Sequence, residues 1–184
     1  MAAIRAICGY SSGREHRPRF AAMTVDVRIA GAVHASIVAG ILAEAVEWLV
    51  QSGTPMWQPD EVDPELVAQQ VAEGAFALAW VGDEAAGTVR FQLEDPLFWP
   101  DAPSGEAAYV HRLAVRRRFA GTGVSTALLS WAVAEARAQG RRVLRLDCDA
   151  ARTKVRHVYE RFGFRYHSDR QVGPHFVARY EYAL

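Results

Sequence analysis

The stretch VHRLAVRRRFAGTGVSTALL, residues 110–129, begins as a strand, passes three arginines and the closely spaced Gly121 and Gly123, and ends as an apolar helix. A glycine turn opening into a helix N-terminus is suited to holding an anion. The first helical N–H groups lack intrahelical acceptors, the aligned peptide dipoles leave partial positive charge, and glycine lets backbone come close to a ligand. The chemistry this predicts is phosphate binding. Two phosphate-binding classes do not fit. A P-loop needs a lysine after its second glycine, and AGTGVS has none. A dinucleotide fold needs a third glycine in a loop that directly follows an opening strand, with an acidic residue further on. Gly121, Gly123 and Asp147 imitate this partly, but Thr126 takes the third place, five residues separate Val115 from Gly121, and more than a hundred residues precede the loop.

The elements that must position this loop can be read from hydrophobic period and turn signals. TVDVRIA alternates as a strand, and HASIVAGILAEAVEWLVQSG places Ile37, Val38, Ile41, Leu42, Ala45, Trp48 and Leu49 on one helical face before Gly53. Asp63 as N-cap and Pro64 at the first helical position predict a second helix ending near Gly74. AFALAWV and AAGTVRFQL form a hairpin about Gly82–Glu84, and the proline-rich EDPLFWPDAPSGE is a loop. A strand over 107–115, a helix over 123–139 closed by Gly140, a strand over 143–148, a helix over about 153–162 closed by Gly163, and a last strand HFVARYEY complete the chain. Strands alternating with helices predict an α/β fold, with helices on the faces of a sheet.

Composition bounds the rest. With 184 residues and 51% hydrophobic content, one domain with a real core is expected over 23–184. The formal net charge of zero argues against a nucleic-acid partner. Of the 21 basic residues only Lys154 is a lysine, so an arginine cluster carries little information by itself. Cys8 and Cys148 form no disulfide framework or metal-ligand pair, which fits a reducing cytoplasm and no metal. The longest apolar run, IVAGILAEAVEWLV, is interrupted by Glu44 and Glu47 and falls short of a membrane span. Residues 1–22 hold four arginines and one glutamate without a continuous apolar region; they read as a disordered extension, with a transit peptide as the alternative.

The order of elements from 107 onward, together with HRLAVRRRFAGTGVSTALL and VYERFGF, resembles the GNAT superfamily of N-acetyltransferases over roughly residues 24–184. The resemblance implies a GNAT fold, a mixed sheet of about six to seven strands flanked by about four helices, and acetyl-CoA as cosubstrate. It places the pyrophosphate on Ala120, Gly121, Thr122, Gly123, Val124, Ser125 and Thr126, with Arg118 nearby. Ala120 stands where the family has Arg or Gln, and Ser125 replaces the last small residue of the frame. Leu113, Ala114 and Val115 match the positions whose backbone meets the pantetheine arm.

Acetyl transfer to an amine poses two proton problems: an ammonium must lose a proton before attack, and the leaving thiolate should gain one. Tyr159 matches the family tyrosine that acts as general acid; the alternative is a packed aromatic. Seven residues earlier, Arg152 stands where many members have asparagine. Tyr109 and His111 match positions used for the base, and being two apart they share a strand face; His111 can equally be a sheet-facing histidine. Glu106 is a reserve candidate. Trp57, Phe98 and Trp99 either line the acceptor site or cover the core, and Asp60, Glu61, Glu94 and Asp95 favour a cationic acceptor if they face it. The expected activity is acetylation of a small-molecule or peptide amine by direct attack in a ternary complex. A non-catalytic acyl-CoA sensor is the alternative. Monomer and homodimer are both compatible, and no membrane partner is expected.

Overall fold

The computed structural model describes residues 24–55, 57 and 59–184. The extension expected over 1–22 lies outside the described residues. In chain order the elements are β1 (Val25–Ile29), α1 (Ala35–Gln51), α2 (Pro64–Ala72), β2 (Phe76–Val81), β3 (Glu84–Gln92), β4 (Ala107–Val115), α3 (Val124–Ala138), β5 (Val143–Asp149), α4 (Thr153–Phe162), β6 (Arg165–Val172) and β7 (His175–Ala183). One seven-stranded mixed sheet runs in the order β1-β2-β3-β4-β5-β7-β6, with four α-helices. Two compact units can be distinguished: residues up to Thr88 with Ala114–Leu128, and Val89–Leu113 with Leu129–Leu184.

In the first unit β1 pairs antiparallel with β2, from Val25 opposite Val81 to Ile29 opposite Ala77. The helical face expected of α1 is the one that packs: Val38, Ile41 and Leu42 join Val67, Val71, Phe76 and Leu78 in one core, with Ile37 and Ala45 half-buried against it. Asp63 caps α2 by accepting from the Glu65 and Leu66 N–H groups at 2.9 and 3.1 Å. Such a cap contributes on the order of 1 kcal/mol. One expectation is corrected. Ala32–Gln51 is long and apolar enough to cross a membrane, with a mean hydropathy of 1.6, because the 3-10 turn before α1 lengthens the run. One face of it, with Val38, Ile41, Leu42 and Leu49, is buried. Gly87 in β3 permits a close approach, since a Cβ there would stand 2.8 Å from the Ala114 carbonyl and 2.9 Å from Val124 Cγ1.

In the second unit β5 pairs antiparallel with β7, and β7 with β6. β6 was not anticipated, and the reason is its place: it ends the sheet, and RYHSDRQV is mostly exposed, with no apolar alternation to mark it. Residue Gly163 closes α4 with φ 119, its N–H directed to the Tyr159 and Glu160 carbonyls. β4 and β5 run parallel from Ala107 opposite Val143 to Val110 opposite Leu146, and their pairing stops there. Two residues on, Arg112 takes φ 49, a left-handed conformation uncommon outside glycine.

Candidate active site

The loop before α3 is built by a single carboxylate. Glu44 of α1 accepts the Arg117 backbone N–H at 2.9 Å with one oxygen and pairs with the Arg116 guanidinium at 2.6 Å with the other. Burial opposes its charge, but the Arg117 N–H and the Arg116 guanidinium outweigh that and hold the carboxyl below its ordinary pKa. Arg116 also donates to the Ala85 carbonyl, the Arg117 guanidinium lies 4.2 Å over the Trp48 ring, and Arg118 pairs with Glu84. The three arginines thus have protein partners, and Arg118 is the exposed one.

After a 3-10 turn at Arg117–Phe119 the chain extends at Ala120, and Gly121 and Gly123 take φ 77 and 93. Nothing lies within 4 Å of a Cβ built on either glycine, so the concavity is open. The Thr122 hydroxyl donates to the Phe119 carbonyl, and the first helical bond runs from Ala127 N–H to Gly123. Buried Val124 anchors α3, while Ala120, Gly121, Thr122, Gly123 and Thr126 are exposed and Ser125 is half-buried. Two left-handed glycines and free helix-start N–H groups fit a diphosphate. Gly121→Asp is therefore expected to weaken coenzyme A binding at least tenfold, about 1.4 kcal/mol, by calorimetry. Gly121→Asn tolerates the same backbone conformation without the charge and should lose less. Equal, unchanged affinities for both would take the loop out of the site.

The second unit holds the titratable groups. The 94–106 segment is pinned at three places. Asp95 accepts the Phe98 N–H at 3.2 Å, and Glu94 accepts from Ser104 and Gly105. Trp99, 3% exposed, lies between the Arg145 and Arg179 guanidinium groups at 4.8 and 4.5 Å. The third place is Asp101, which the Arg179 guanidinium holds down to about 2. The Trp99 side chain therefore anchors this segment and does not line an open surface. Tyr109, 2% exposed, joins Trp99 and Ala107 in the same small core. Burial raises its phenol pKa, which keeps the phenol protonated at neutral pH. Trp57 is half-buried against the core of the first unit.

His111 stands where β4 leaves β5, and each ring nitrogen faces a different carboxylate: Nε2 lies 3.1 Å from Asp95 Oδ2, and Nδ1 lies 3.6 Å from Asp147 Oδ1. Nε2 and both oxygens are shielded from solvent and make no hydrogen bond. Burial, opposed by His111 and reinforced by Asp95, pushes Asp147 up to about 6. A carboxyl raised above its ordinary 3.8 stabilises the fold fully below about pH 4, and that contribution is lost as pH rises through about 6. Asp147→Asn is thus expected to abolish a fall on the order of 2–3 kcal/mol between pH 4 and 7.5, read by chemical denaturation. The ligand atoms of Asp95, His111 and Asp147 lie within 4.8 Å of one another. The two carboxylates face opposite nitrogens of the ring.

Tyr159 of α4 is half-buried, in ring contact with Phe164 and Tyr180. Burial raises its pKa, and the charges of Cys148 and Asp147 act the same way, so it is a proton donor at neutral pH. Burial likewise pushes the Cys148 thiol up to about 12, which leaves no thiolate for nucleophilic attack. Glu106 is engaged with Arg145 at 3.0 Å. Tyr159 and His111 thus both belong to the second unit, each with an electrostatic link to Asp147. Asp147 and Glu44 were not anticipated as site residues. In the sequence Asp147 is one polar position of an alternating strand, and Glu44 one charge on an amphipathic helix.

This α/β fold, with a glycine loop opening α3, is that of an acyltransferase class, and residues 42–164 match the family model described as Acetyltransferase (GNAT) family. The chain belongs to that family, which makes it an acetyl-CoA-dependent acyltransferase. It is 29% identical over 152 residues to the uncharacterized N-acetyltransferase YesJ of Bacillus subtilis (strain 168), covering 79% of this chain and 84% of that protein. A GNAT family acetyltransferase from Listeria monocytogenes 4b F2365 superposes with a TM-score of 0.75 at 23% identity, over 87% of this chain and 95% of that one. PaiA N-acetyltransferase from Thermoplasma acidophilum, solved in complex with coenzyme A, gives 0.68 at 13% identity, over 87% and 100%.

Proposed function

We propose that the protein is an N-acetyltransferase that moves the acetyl group of acetyl-CoA to an amine of a small molecule or peptide, by direct attack in a ternary complex. The observation that carries this reading is the imidazole of His111, set between two carboxylates on the strand to which the family resemblance assigns the base. Attack needs a neutral amine, and His111 takes the ammonium's proton; the protonated phenol of Tyr159 supplies one to the departing thiolate. Acetyl-CoA brings the activated thioester. The N–H groups of the 120–126 loop hold its pyrophosphate, and Arg118 adds positive charge. The backbone of Leu113, Ala114 and Val115 meets the pantetheine arm, a role favoured by the end of β4–β5 pairing at Val110. The raised Cys148 thiol favours direct attack over an acyl-enzyme. Phe98 and Trp57 contribute apolar surface to the acceptor, and Trp99 acts through the segment it anchors. Residues 23–184 work as one domain, as a monomer or homodimer in the cytoplasm, with no metal, nucleic acid or membrane required; the zero net charge supports the absence of nucleic acid.

Thiol release from acetyl-CoA mixed with a panel of alkyl amines, aryl amines and peptide N-termini tests the reading. Amine-dependent release is expected. Coenzyme A binding without release from any amine would make the protein an acyl-CoA sensor.

A further inference from the structure

A glycine inside a helix costs stability and calls for a reason, and Gly40 lies in the interior of α1. Gly40, Glu44 and Trp48 are spaced by four, so they form one stripe along that helix. All three meet the two arginines that lead into the glycine loop. A Cβ built on Gly40 would stand 3.9 Å from Arg116 Nη2, so a longer side chain there would take the place of the guanidinium. Glu44 accepts from Arg116 Nη1 with one oxygen and from the Arg117 N–H with the other, at 2.6 and 2.9 Å. The Arg117 guanidinium lies 4.2 Å from the centre of the Trp48 ring. From β3, the Ala86 carbonyl accepts the Arg116 N–H and the Ala85 carbonyl accepts its Nε–H, at 2.9 and 3.0 Å. The turn then follows bond by bond. The Arg116 carbonyl accepts the Phe119 N–H, the Arg117 carbonyl accepts the Ala120 N–H, and the Phe119 carbonyl accepts both the N–H and the hydroxyl of Thr122. Hydrogen bonds thus run without a break from α1 to the residue between Gly121 and Gly123, all within the first unit.

We propose that Glu44 is the positioning residue of the cofactor loop: by fixing Arg116 and the Arg117 N–H it sets the shape in which residues 120–126 receive the pyrophosphate of acetyl-CoA. This rests on the reading of that loop as the pyrophosphate site. Gly40 and Trp48 complete the mount, one by leaving room for the Arg116 guanidinium and the other by seating that of Arg117. Two effects of opposite sign meet at Glu44. As a charge it cancels Arg116 beside an anion site, so by that effect alone its removal would tighten cofactor binding. As a mount it spares the cofactor the work of ordering the turn, so by that effect its removal weakens binding. The second effect is the larger. A partly exposed arginine released toward a phosphate gains little through screening water, whereas the turn from Arg116 to Thr122 would have to be ordered, residue by residue, at the moment of binding. Glu44 acts through Arg116 and Arg117 and takes no part in the chemical step.

The test is coenzyme A binding by calorimetry, which needs no turnover, on the full chain and its Glu44→Leu, Glu44→Gln and Gly40→Leu variants. Glu44→Leu is expected to weaken binding about tenfold or more. Glu44→Gln keeps an oxygen that can accept the Arg117 N–H and should lose less. Gly40→Leu displaces the Arg116 guanidinium and leaves Glu44 in place, and it should weaken binding as well. Leucine favours a helix more than glycine does, so that loss would not come from a weakened α1. With the best amine of the panel, KM for acetyl-CoA should rise with the Kd while kcat stays within about twofold. Acetyl-pantetheine carries the thioester without the pyrophosphate and gives a readout that a merely structural residue would not: its kcat/KM should stay within about twofold of wild type. Equal losses with both thioesters overturn the proposal, as does unchanged or tighter coenzyme A binding by folded Glu44→Leu. Gly121→Asp separates this proposal from the reading it rests on. If Gly121→Asp also leaves coenzyme A binding unchanged, the loop is not the pyrophosphate site and its mount falls with it. If Gly121→Asp weakens binding where Glu44→Leu does not, the positioning role of Glu44 alone fails.

Discussion

Tyr159→Phe is expected to lower kcat by about 10²- to 10⁴-fold while acetyl-CoA affinity stays within a few-fold, the range of general acid–base assistance. The change removes one hydroxyl and keeps the ring, so the contacts with Phe164 and Tyr180 persist and the melting temperature should hold within a few degrees. Burial and the neighbouring Cys148 and Asp147 oppose ionisation of the phenol. A group so placed has a proton to give at any physiological pH, so the loss should be pH-independent between roughly 6 and 9. Steady-state kinetics with calorimetric binding distinguishes the outcomes. A large kcat loss in a stable protein supports the acid role. A stability loss of about 1 kcal/mol or more with activity preserved points to a buried structural hydrogen bond. No change in either property removes Tyr159 from the chemistry.

The second large effect belongs to His111. His111→Ala is expected to lower kcat/KM by about 10²-fold or more and to flatten its dependence on pH, with coenzyme A binding unaltered. The alanine variant should also lose stability, because Asp95 and Asp147 would face each other across the vacated space without the imidazole between them. His111→Asn keeps a polar partner for one carboxylate and should recover much of the stability and little of the activity. Should the asparagine variant keep the wild-type pH profile, His111 is a structural histidine.

How far the chain could be read depended on what each segment buries. The start and end of α4 match the expected 153–162 because Gly163 ends it in a conformation few other residues adopt, and β4 matches the expected 107–115. Helix α3 is shorter than expected by one residue at each end. β6 left no signal because an edge strand has nothing apolar to hide. The glycine loop was legible, since Gly121 and Gly123 are both needed for positive φ. The residues proposed for proton transfer were legible only in part: alternation puts Tyr109 and His111 on one face, but nothing in it distinguishes a phenol sealed in the core from an imidazole at the parting of two strands. That difference depends on Trp99 and on the turn of the chain at Arg112, both set by residues far along the sequence. Asp147 becomes special only when β5 brings it opposite His111.

The pinning of the 94–106 segment separates two properties that usually compete when an enzyme changes its substrate. Trp99, Asp95 and Asp101 hold the frame from below, each against partners elsewhere in the second unit, whereas Leu97 is 63% exposed and Phe98 is half-buried. Substitution at Leu97 alters the exposed surface without withdrawing any anchor, whereas the Phe98 ring packs against the Trp99 core and lies 5.9 Å from the His111 ring while its backbone meets Asp95 and Arg179. On the proposed N-acetyltransferase reading, lineages can therefore drift from one amine to another through changes at Leu97 that leave the fold intact. Divergent acceptor preference among relatives should then be written first at position 97, and last at 99.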